Sequence, residues 1–456
     1  LKTRFGFDPA LYVVHNQEEK KFDHRIEYSF SWEEAQTKIS WNPSLGGGTA
    51  KILTKVVVSG QDVLSFRKSV FEIPDAFNRY IDNLKQTGQN LSMVFKVFYL
   101  ALLTLAIMLL VNRKNHAVPR IVKPLYWRIG LVIFAFTFIE TLNSYQLILF
   151  NYSTAQSFAD HLIRQLIESL VNPFFVVVVF IIPALAGEAL RSENNPQVKH
   201  LGLLSSTLSS FFTRTISVQI GIGYLIAWMV LGVQSVIFTF GYHYCGVWDE
   251  LSWLTQASTN VLPAFTAFLI GVHASFSEES MFRLFAINFF KKYAKIMWVA
   301  VGVSALIWGF GHTGYEIFPM WFRGLEVTCL GLVLGIAYLR YGFVTALVAH
   351  YLMDAFLTSL PYLLKPNVSL NFMSAVVVIL LPLIYAVIAY IRNKPATERS
   401  WEPKLNAQQQ FNYDLLKSIA ANKTPEEKKS FKNDLLHHGW DPLVVERLFY
   451  HQGESS

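Results

Sequence analysis

Charged residues and cysteines are scarce in this chain. Asp, Glu, Lys and Arg together make up 16% of its 456 residues, whereas 52% are hydrophobic. Soluble globular domains carry about 25% charged residues, so this composition excludes the ordinary soluble classes and predicts a polytopic membrane protein. The two cysteines, Cys245 and Cys329, are too few for a disulfide framework or a thiolate metal site.

Long apolar segments predict the fold class, an all-α polytopic membrane protein with about nine transmembrane helices. Together they define a transmembrane domain that we expect to cover residues 91–395. The predicted spans are residues 93–111, 129–150, 167–187, 216–240, 258–276 with its continuation 277–290, 297–315, 322–340, 343–362 and 371–391.

Basic residues predict the orientation of these spans. The formal net charge is +7, and the basic clusters fall on one side of the membrane at 113–128, 191–199, 291–295, Arg340 and 392–394. Loops rich in Lys and Arg stay in the cytoplasm, so this excess indicates cytoplasmic loops and no nucleic-acid partner. We therefore expect residues 1–90 on the outer face and the polar tail, residues 396–456, in the cytoplasm.

The two polar ends have different patterns. Alternating apolar residues at 25–32 and 51–58 predict a small β-rich extracytoplasmic domain in residues 1–90. It contains no catalytic constellation, so we expect an accessory role. The tail has helix-like segments at 412–421 and 425–436, which predict a helical unit.

Three charged residues occur inside one apolar segment, namely Glu278, Glu279 and Arg283. A charge at membrane depth costs a few kcal/mol, so it indicates function unless it is paired. Glu279 and Arg283 are four positions apart and share a helical face, where they can form a structural ion pair. That pairing leaves Glu278 unexplained.

Two histidines and an aspartate lie on later apolar segments. His312 stands four positions after Trp308, and His350 stands four positions before Asp354, which puts the last two on one helical face. At about 1.5 Å per residue, Glu278 and both histidines fall about 12 to 26 Å from the cytoplasmic edge. The four polar residues can therefore share one buried site.

Hydrolysis of an amide bond is the chemistry that fits this set. A buried carboxylate can take a proton from water and return it to a leaving amine, while an imidazole orients the water or donates to an oxyanion. Two histidines and a carboxylate are also an ordinary zinc set, although no H-E-x-x-H motif occurs. A divalent metal such as zinc stays open, and we expect no other cofactor.

The motifs resemble those of the CAAX prenyl endopeptidase and bacteriocin-processing (CPBP, Abi) family of intramembrane proteases. In chain order they are E-E-x-x-x-R at 278–283, W-x-x-x-H at 308–312 and H-x-x-x-D at 350–354. The resemblance covers a catalytic core of about residues 255–365. Three motifs in order, each on an apolar segment, are far more specific than one.

The resemblance implies a role for each residue. Glu278 would be the general base that activates water, with His312 assisting, and His350 with Asp354 would face the oxyanion. The structural partners would be Glu279 and Arg283. On this resemblance we expect a metal-free mechanism driven by the glutamate.

Two positions depart from the family pattern. Asp354 stands where eukaryotic members have Asn, and an ionised Asp cannot donate to an oxyanion. Asp354 must therefore be protonated, orient His350 or help to hold a metal. Trp308 stands where Phe is commoner, and we expect that exchange to matter little.

The resemblance also implies a cavity open toward the cytoplasm and a peptide or protein substrate cut near a membrane-anchored end. Bacterial members lack prenylated CAAX substrates. We therefore expect peptide processing or bacteriocin immunity in a bacterial plasma membrane, and we hypothesise that the N-terminal domain recognises a partner.

Two other function classes stay open. In a proton-coupled transporter, Glu140 would join Glu278 and the histidines in a relay, but no duplicated segment pair is visible. A catalytically inactive membrane scaffold of the same fold is the other alternative, and the presence of all four polar residues disfavours it.

Overall fold

The computed structural model describes residues 1–33, 39–40, 42, 47–112, 122–153, 155–194, 212–250, 259–365, 369–392, 405, 407–421 and 423–450. The chain divides into two compact units, Leu1–Lys394 and Pro395–Ser456. The first unit contains an N-terminal sheet and the apolar helices, and the second contains the polar tail.

An antiparallel sheet opens the first unit after a short helix, α1 (Lys2–Phe5). Its strands are β1 (Val13–Phe22), β2 (Arg25–Glu33), β3 (Ile39–Ser40), β4 (Thr49–Ser59) and β5 (Asp62–Glu72). They lie in the order β1-β2-β4-β3, with β5 also paired to β4. A small core of Phe7, Trp32 and Val56 holds one face together, which confirms the predicted N-terminal β-sheet.

Helix α2 (Asp75–Asn112) follows the sheet directly. The sheet therefore ends at Glu72 and α2 begins at Asp75, inside the predicted domain of residues 1–90, whose bounds stay a prediction. Residues 75–90 are polar yet helical, and polarity alone does not separate a soluble domain from the exposed start of a long helix.

Most of the remaining first unit is helical. Its helices are α3 (Val122–Asn143), α4 (Tyr145–Phe150), α5 (Phe158–Asn194), α6 (Arg214–Phe240), α7 (Pro263–Glu278), α8 (Ile287–Ala294), α9 (Met297–Phe310), α10 (Met320–Tyr341), α11 (Phe343–Leu363) and α12 (Leu370–Arg392). A π-helical turn, Gly241–Cys245, ends α6, and a second one, Glu279–Ala286, joins α7 to α8. Two short strands, β6 (Trp248–Asp249) and β7 (Ile317–Phe318), pair with each other.

Six helices in the described part of the chain are long and apolar enough to cross a membrane. They are α2, α5, α6 with its π-helical end, α10, α11 and α12, and α9 is a shorter apolar helix. The polytopic membrane class is thereby confirmed. The total of about nine spans and the orientation stay predictions, and the basic stretches 113–121 and 195–200 lie outside the described residues.

The helices of the first unit pack around one large apolar core. Helix α5 approaches the π-helical turn Glu279–Ala286 so closely that a Cβ at Gly187 would lie 2.7 Å from the backbone of Leu284. Ser304 of α9 supports the same turn, because its hydroxyl donates to the carbonyl of Phe282 at 2.6 Å. The π-helical turn that carries Glu279 and Arg283 is thus contacted by both α5 and α9.

The second unit consists of three short helices, α13 (Ala407–Ala420), α14 (Pro425–His437) and α15 (Pro442–Tyr450). A capping box starts α14, in which Thr424 and Glu427 satisfy each other's backbone N–H groups. Leu416, Val444 and Val445 are buried between the helices. The helical character of the tail agrees with the sequence, and its cytoplasmic location stays a prediction.

Candidate active site

Glu278 and Glu279 lie at the junction between α7 and the π-helical turn. Glu278 is the last residue of α7, and Glu279 is the first residue of the turn. Neighbouring residues on a helix point about 100° apart, so the two carboxylates face different surroundings. Glu279 is fully buried, whereas the side chain of Glu278 is 24% exposed in a cavity. π-helical turns inside longer helices are frequent at functional sites.

Glu279 lies at the centre of a buried ionic group. Its Oε1 atom is 3.0 Å from Nη1 of Arg283 and 2.7 Å from Nδ1 of His350. The Arg283 guanidinium also lies 4.3 Å from the centre of the Trp308 ring, in cation–π contact. The predicted Glu279–Arg283 pair is therefore present, and it additionally holds His350, which the sequence did not indicate.

Glu278 faces both histidines of the predicted set. Its Oε2 atom is 3.8 Å from Nε2 of His312 and 4.0 Å from Nε2 of His350. These separations are too long for direct hydrogen bonds, and each is short enough for one water to bridge Glu278 to that histidine. The indole Nε1–H of Trp308 donates a short hydrogen bond to the same carboxylate oxygen.

The Trp308 contact bears on the expectation that exchange between Trp and Phe at this position matters little. Only Trp carries an N–H group that can hold the Glu278 carboxylate, and Phe has no donor. The bond depends on how α9 packs against α7, so the motif spacing alone did not reveal it.

His312 lies in the turn that follows α9, and contacts with Trp308 and Tyr315 fix the orientation of its imidazole ring. The Nδ1 atom is 2.7 Å from the carbonyl oxygen of Trp308. A carbonyl only accepts, so Nδ1 carries the proton and Nε2 of the neutral ring presents its lone pair toward Glu278. The ring of Tyr315 stacks on the imidazole with a centroid separation of 5.8 Å.

His350 and Asp354 both lie on α11, as the spacing of four requires. The Nε2 atom of His350 is 3.5 Å from Oδ2 of Asp354. His350 is therefore flanked by two carboxylates, Glu279 at one nitrogen and Asp354 at the other. All four sequence-predicted residues converge on one place. Within the described residues, no group of three or more His, Cys, Asp and Glu side chains is arranged to hold a metal ion.

A cavity of about 890 Å³ lies against Glu278 and His312, and His350 and Asp354 are not among the residues that line it. One wall consists of Glu278, Trp308 and His312, and the opposite wall belongs to α2. The α2 residues Gln89, Ser92, Met93, Phe95, Lys96 and Tyr99 were not identified from the sequence, because no motif links them to the later helices.

The position of the cavity bears on the predicted orientation. The cavity reaches the turn at the C-terminal end of α9, where His312 and Tyr315 lie. The basic residues Lys291 and Lys292 precede the other end of α9. The side of the membrane to which the cavity opens stays a prediction.

Glu140, the residue that favoured a transporter, lies outside the lining of this cavity. Its carboxylate accepts hydrogen bonds from Thr266 at 2.6 Å, Asn260 at 3.0 Å and Asn143 at 2.9 Å. These bonds connect α3 to the start of α7. The contacts indicate a structural cross-link between two helices, and they do not connect Glu140 to Glu278.

Comparisons with known proteins agree with this geometry. Residues 260–356 match the family model of the type II CAAX prenyl endopeptidase Rce1-like proteins. A stretch of 151 residues is 30% identical to the sporulation-killing factor biosynthesis protein SkfC of Bacillus subtilis (strain 168) and covers 32% of this chain and 29% of that protein. No solved structure matches the chain. The resemblance that the motifs predict is thereby confirmed over residues 260–356, which are similar to the type II CAAX prenyl endopeptidase Rce1-like proteins.

Proposed function

We propose that this chain is an intramembrane endopeptidase that hydrolyses a peptide bond with a water molecule activated by Glu278. The observation that supports it most is the position of the Glu278 carboxylate, 3.8 and 4.0 Å from two imidazole nitrogens inside a cavity. A general base needs to reach its water, and these distances leave room for a water that bridges Glu278 to an imidazole nitrogen.

In the first step, Glu278 takes a proton from the water as its oxygen attacks the substrate carbonyl carbon. His312 assists, because the lone pair on Nε2 can accept a hydrogen bond from the same water. The C=O π bond breaks, and its electrons form an oxyanion on a tetrahedral intermediate. In the second step, the C–N bond breaks and Glu278 returns the proton to the leaving amine, which regenerates the enzyme.

His350 and Asp354 form the oxyanion side of the proposed site. An imidazolium flanked by the carboxylates of Glu279 and Asp354 would be stabilised in its charged form and could donate its Nε2–H to the oxyanion. In this role Asp354 orients His350 at 3.5 Å and does not need to donate a proton itself. Arg283 compensates the charge of Glu279.

The proposed substrate is a membrane-associated peptide or protein. One relative is named a biosynthesis protein of a sporulation-killing factor. By analogy we propose that this chain processes a precursor peptide at a bacterial plasma membrane, with no metal ion required. The outer location of the N-terminal domain and the cytoplasmic location of the tail are part of the same proposal.

The test is cleavage of a quenched fluorescent peptide library by the purified full chain in detergent, with the new peptide ends identified by mass spectrometry. We expect Glu278→Ala to abolish cleavage. Glu168→Gln is the matched control, because Glu168 is a carboxylate on the exposed surface of α5, paired with Arg164 at 2.9 Å. Wild-type cleavage by Glu278→Ala would remove that residue from the mechanism.

Metal independence is tested in the same assay. We expect an excess of 1,10-phenanthroline to leave the cleavage rate unchanged, and restoration of a lost rate by Zn²⁺ would contradict the metal-free proposal. A wild-type chain that binds library peptides but cleaves none would instead support an inactive scaffold.

A further inference from the structure

One face of α2 forms a wall of the active-site cavity, although α2 lies outside the family match at residues 260–356. Gln89, Ser92, Lys96 and Tyr99 line the cavity. Their spacing of three, four and three positions places them on one side of a helix. This wall is therefore a property of this chain's own N-terminal region.

Close contacts fix α2 against the turn that carries His312. A Cβ at Gly88 would lie 2.5 Å from the carbonyl oxygen of Thr313, and the Thr313 hydroxyl donates to the Gly88 carbonyl at 3.2 Å. The Ser92 hydroxyl donates to the carbonyl of Gly311 at 2.6 Å. Because these atoms of α2 and of the turn are in close contact, the α2 wall has a defined position relative to His312.

Lys96 is the one Lys or Arg among the described residues that line the cavity. No ion pair connects it to a described carboxylate, and in particular it lies beyond ion-pair distance of Glu278. Tyr99, one helical turn further along α2, packs its ring 5.6 Å from that of Phe282 beside Glu278. Lys96 thus stands one helical turn before Tyr99 on α2 and lines the same cavity as Glu278, where a bound peptide can contact both.

We propose that Lys96 binds a carboxylate of the substrate peptide and so selects peptides with a negative charge close to the scissile bond. This inference rests on the proposed peptidase function. An ammonium group beside a cavity forms a charge-assisted hydrogen bond with a carboxylate, which is stronger than a bond between neutral groups. The carboxylate can come from the C-terminus of the peptide or from an acidic side chain.

The experiment compares four versions of one library peptide that the wild-type chain cleaves or, if no peptide is cleaved, of the library peptide that it binds most tightly. They carry Glu or Gln two or three positions from the scissile bond, each with a free or an amidated C-terminus. We expect kcat/KM to be about tenfold higher for one carboxylate-bearing version than for its neutral partner. The Glu/Gln comparison and the acid/amide comparison identify which carboxylate Lys96 binds.

The variants assign that preference to Lys96. We expect Lys96→Ala to bring the ratio between charged and neutral peptides close to one, Lys96→Arg to retain most of it and Lys96→Glu to invert it. Arg79→Ala is the matched control, because Arg79 is an exposed cation on the same helix outside the cavity lining. It should leave the ratio at the wild-type value.

Binding separates this inference from the peptidase proposal. Anisotropy of the labelled peptides with Glu278→Gln should show the same charge preference without any turnover. If the peptides bind with this charge preference but the wild-type chain cleaves none of them, the peptidase proposal is wrong and the proposed carboxylate-binding role of Lys96 still holds. Equal ratios in wild type and Lys96→Ala would overturn the carboxylate site and leave Lys96 as a lysine that reaches toward the lipid headgroups.

Discussion

Gly88→Ala tests whether α2 holds the active-site turn in place. The added Cβ would lie 2.5 Å from the Thr313 carbonyl oxygen. An ordinary contact needs about 3.4 Å, so α2 and the turn must separate by about 1 Å, and a backbone oxygen cannot rotate away. A displacement of about 1 Å at a catalytic group can cost about 100-fold in rate.

The magnitude follows from two opposing effects. Alanine favours an isolated helix over glycine by about 1 kcal/mol, whereas overpacking in a tight contact costs about 1 to 3 kcal/mol. We therefore expect a small net change in thermal stability and a loss of about 10 to 100-fold in kcat/KM. The assay is library-peptide cleavage with thermal unfolding measured on the same detergent sample.

Gly221→Ala is the matched control, because a Cβ at Gly221 of α6 meets nothing within 4 Å. Ser92→Ala is the second variant, since it removes the hydrogen bond to Gly311 without any clash. It should reduce activity less than Gly88→Ala does. If Gly88→Ala cleaved as fast as Gly221→Ala, α2 would not position the His312 turn.

Three further substitutions test the buried network. Asp354→Asn keeps the shape but removes the negative charge beside His350, so we expect kcat to fall about tenfold or more with KM little changed. Arg283→Met removes one of the two cationic partners of the buried Glu279 carboxylate and leaves only His350, which should destabilise the protein by about 3 kcal/mol in thermal or denaturant unfolding. Trp308→Phe removes the indole donor to the catalytic carboxylate and should lower kcat about 10 to 100-fold while the fold persists.

For each of these three substitutions, one result would contradict the expected role of the residue. An unchanged kcat in Asp354→Asn would show that the neutral amide suffices at this position, and a collapse accompanied by loss of bound zinc would make the site a metal centre. Wild-type stability of Arg283→Met would mean that Glu279 does not depend on its ion pair. Wild-type kcat in Trp308→Phe would restore the expectation that Phe is an equivalent residue.

Much of the site could be predicted because its signals are local. His350 and Asp354 share a face through their spacing of four, and Glu279 pairs with Arg283 by the same rule. A charged residue in an apolar segment can be recognised as a candidate functional residue from the sequence alone, because burying a charge in a membrane is costly. These signals need no knowledge of how the helices pack.

The contacts that were missed all join distant parts of the chain. The bond from Trp308 to Glu278 connects residues 30 positions apart, and that from His350 to Glu279 connects residues 71 positions apart. The wall formed by α2 has no sequence signal, because an amphipathic stretch at the start of an apolar helix is also typical of the membrane interface. The sequence does not mark the end of the sheet at Glu72 for a related reason, because the helical residues 75–90 are as polar as the sheet.

The most direct measurement is turnover and binding by Glu278→Gln on one cleaved peptide. Glutamine keeps the size of the side chain and a carbonyl oxygen for the Trp308 indole, but it cannot take a proton from water. The account predicts peptide binding within a few fold of wild type and a loss of kcat of about 100 to 10,000-fold. Cleavage at the wild-type rate by this variant would contradict the assignment of Glu278 as the base.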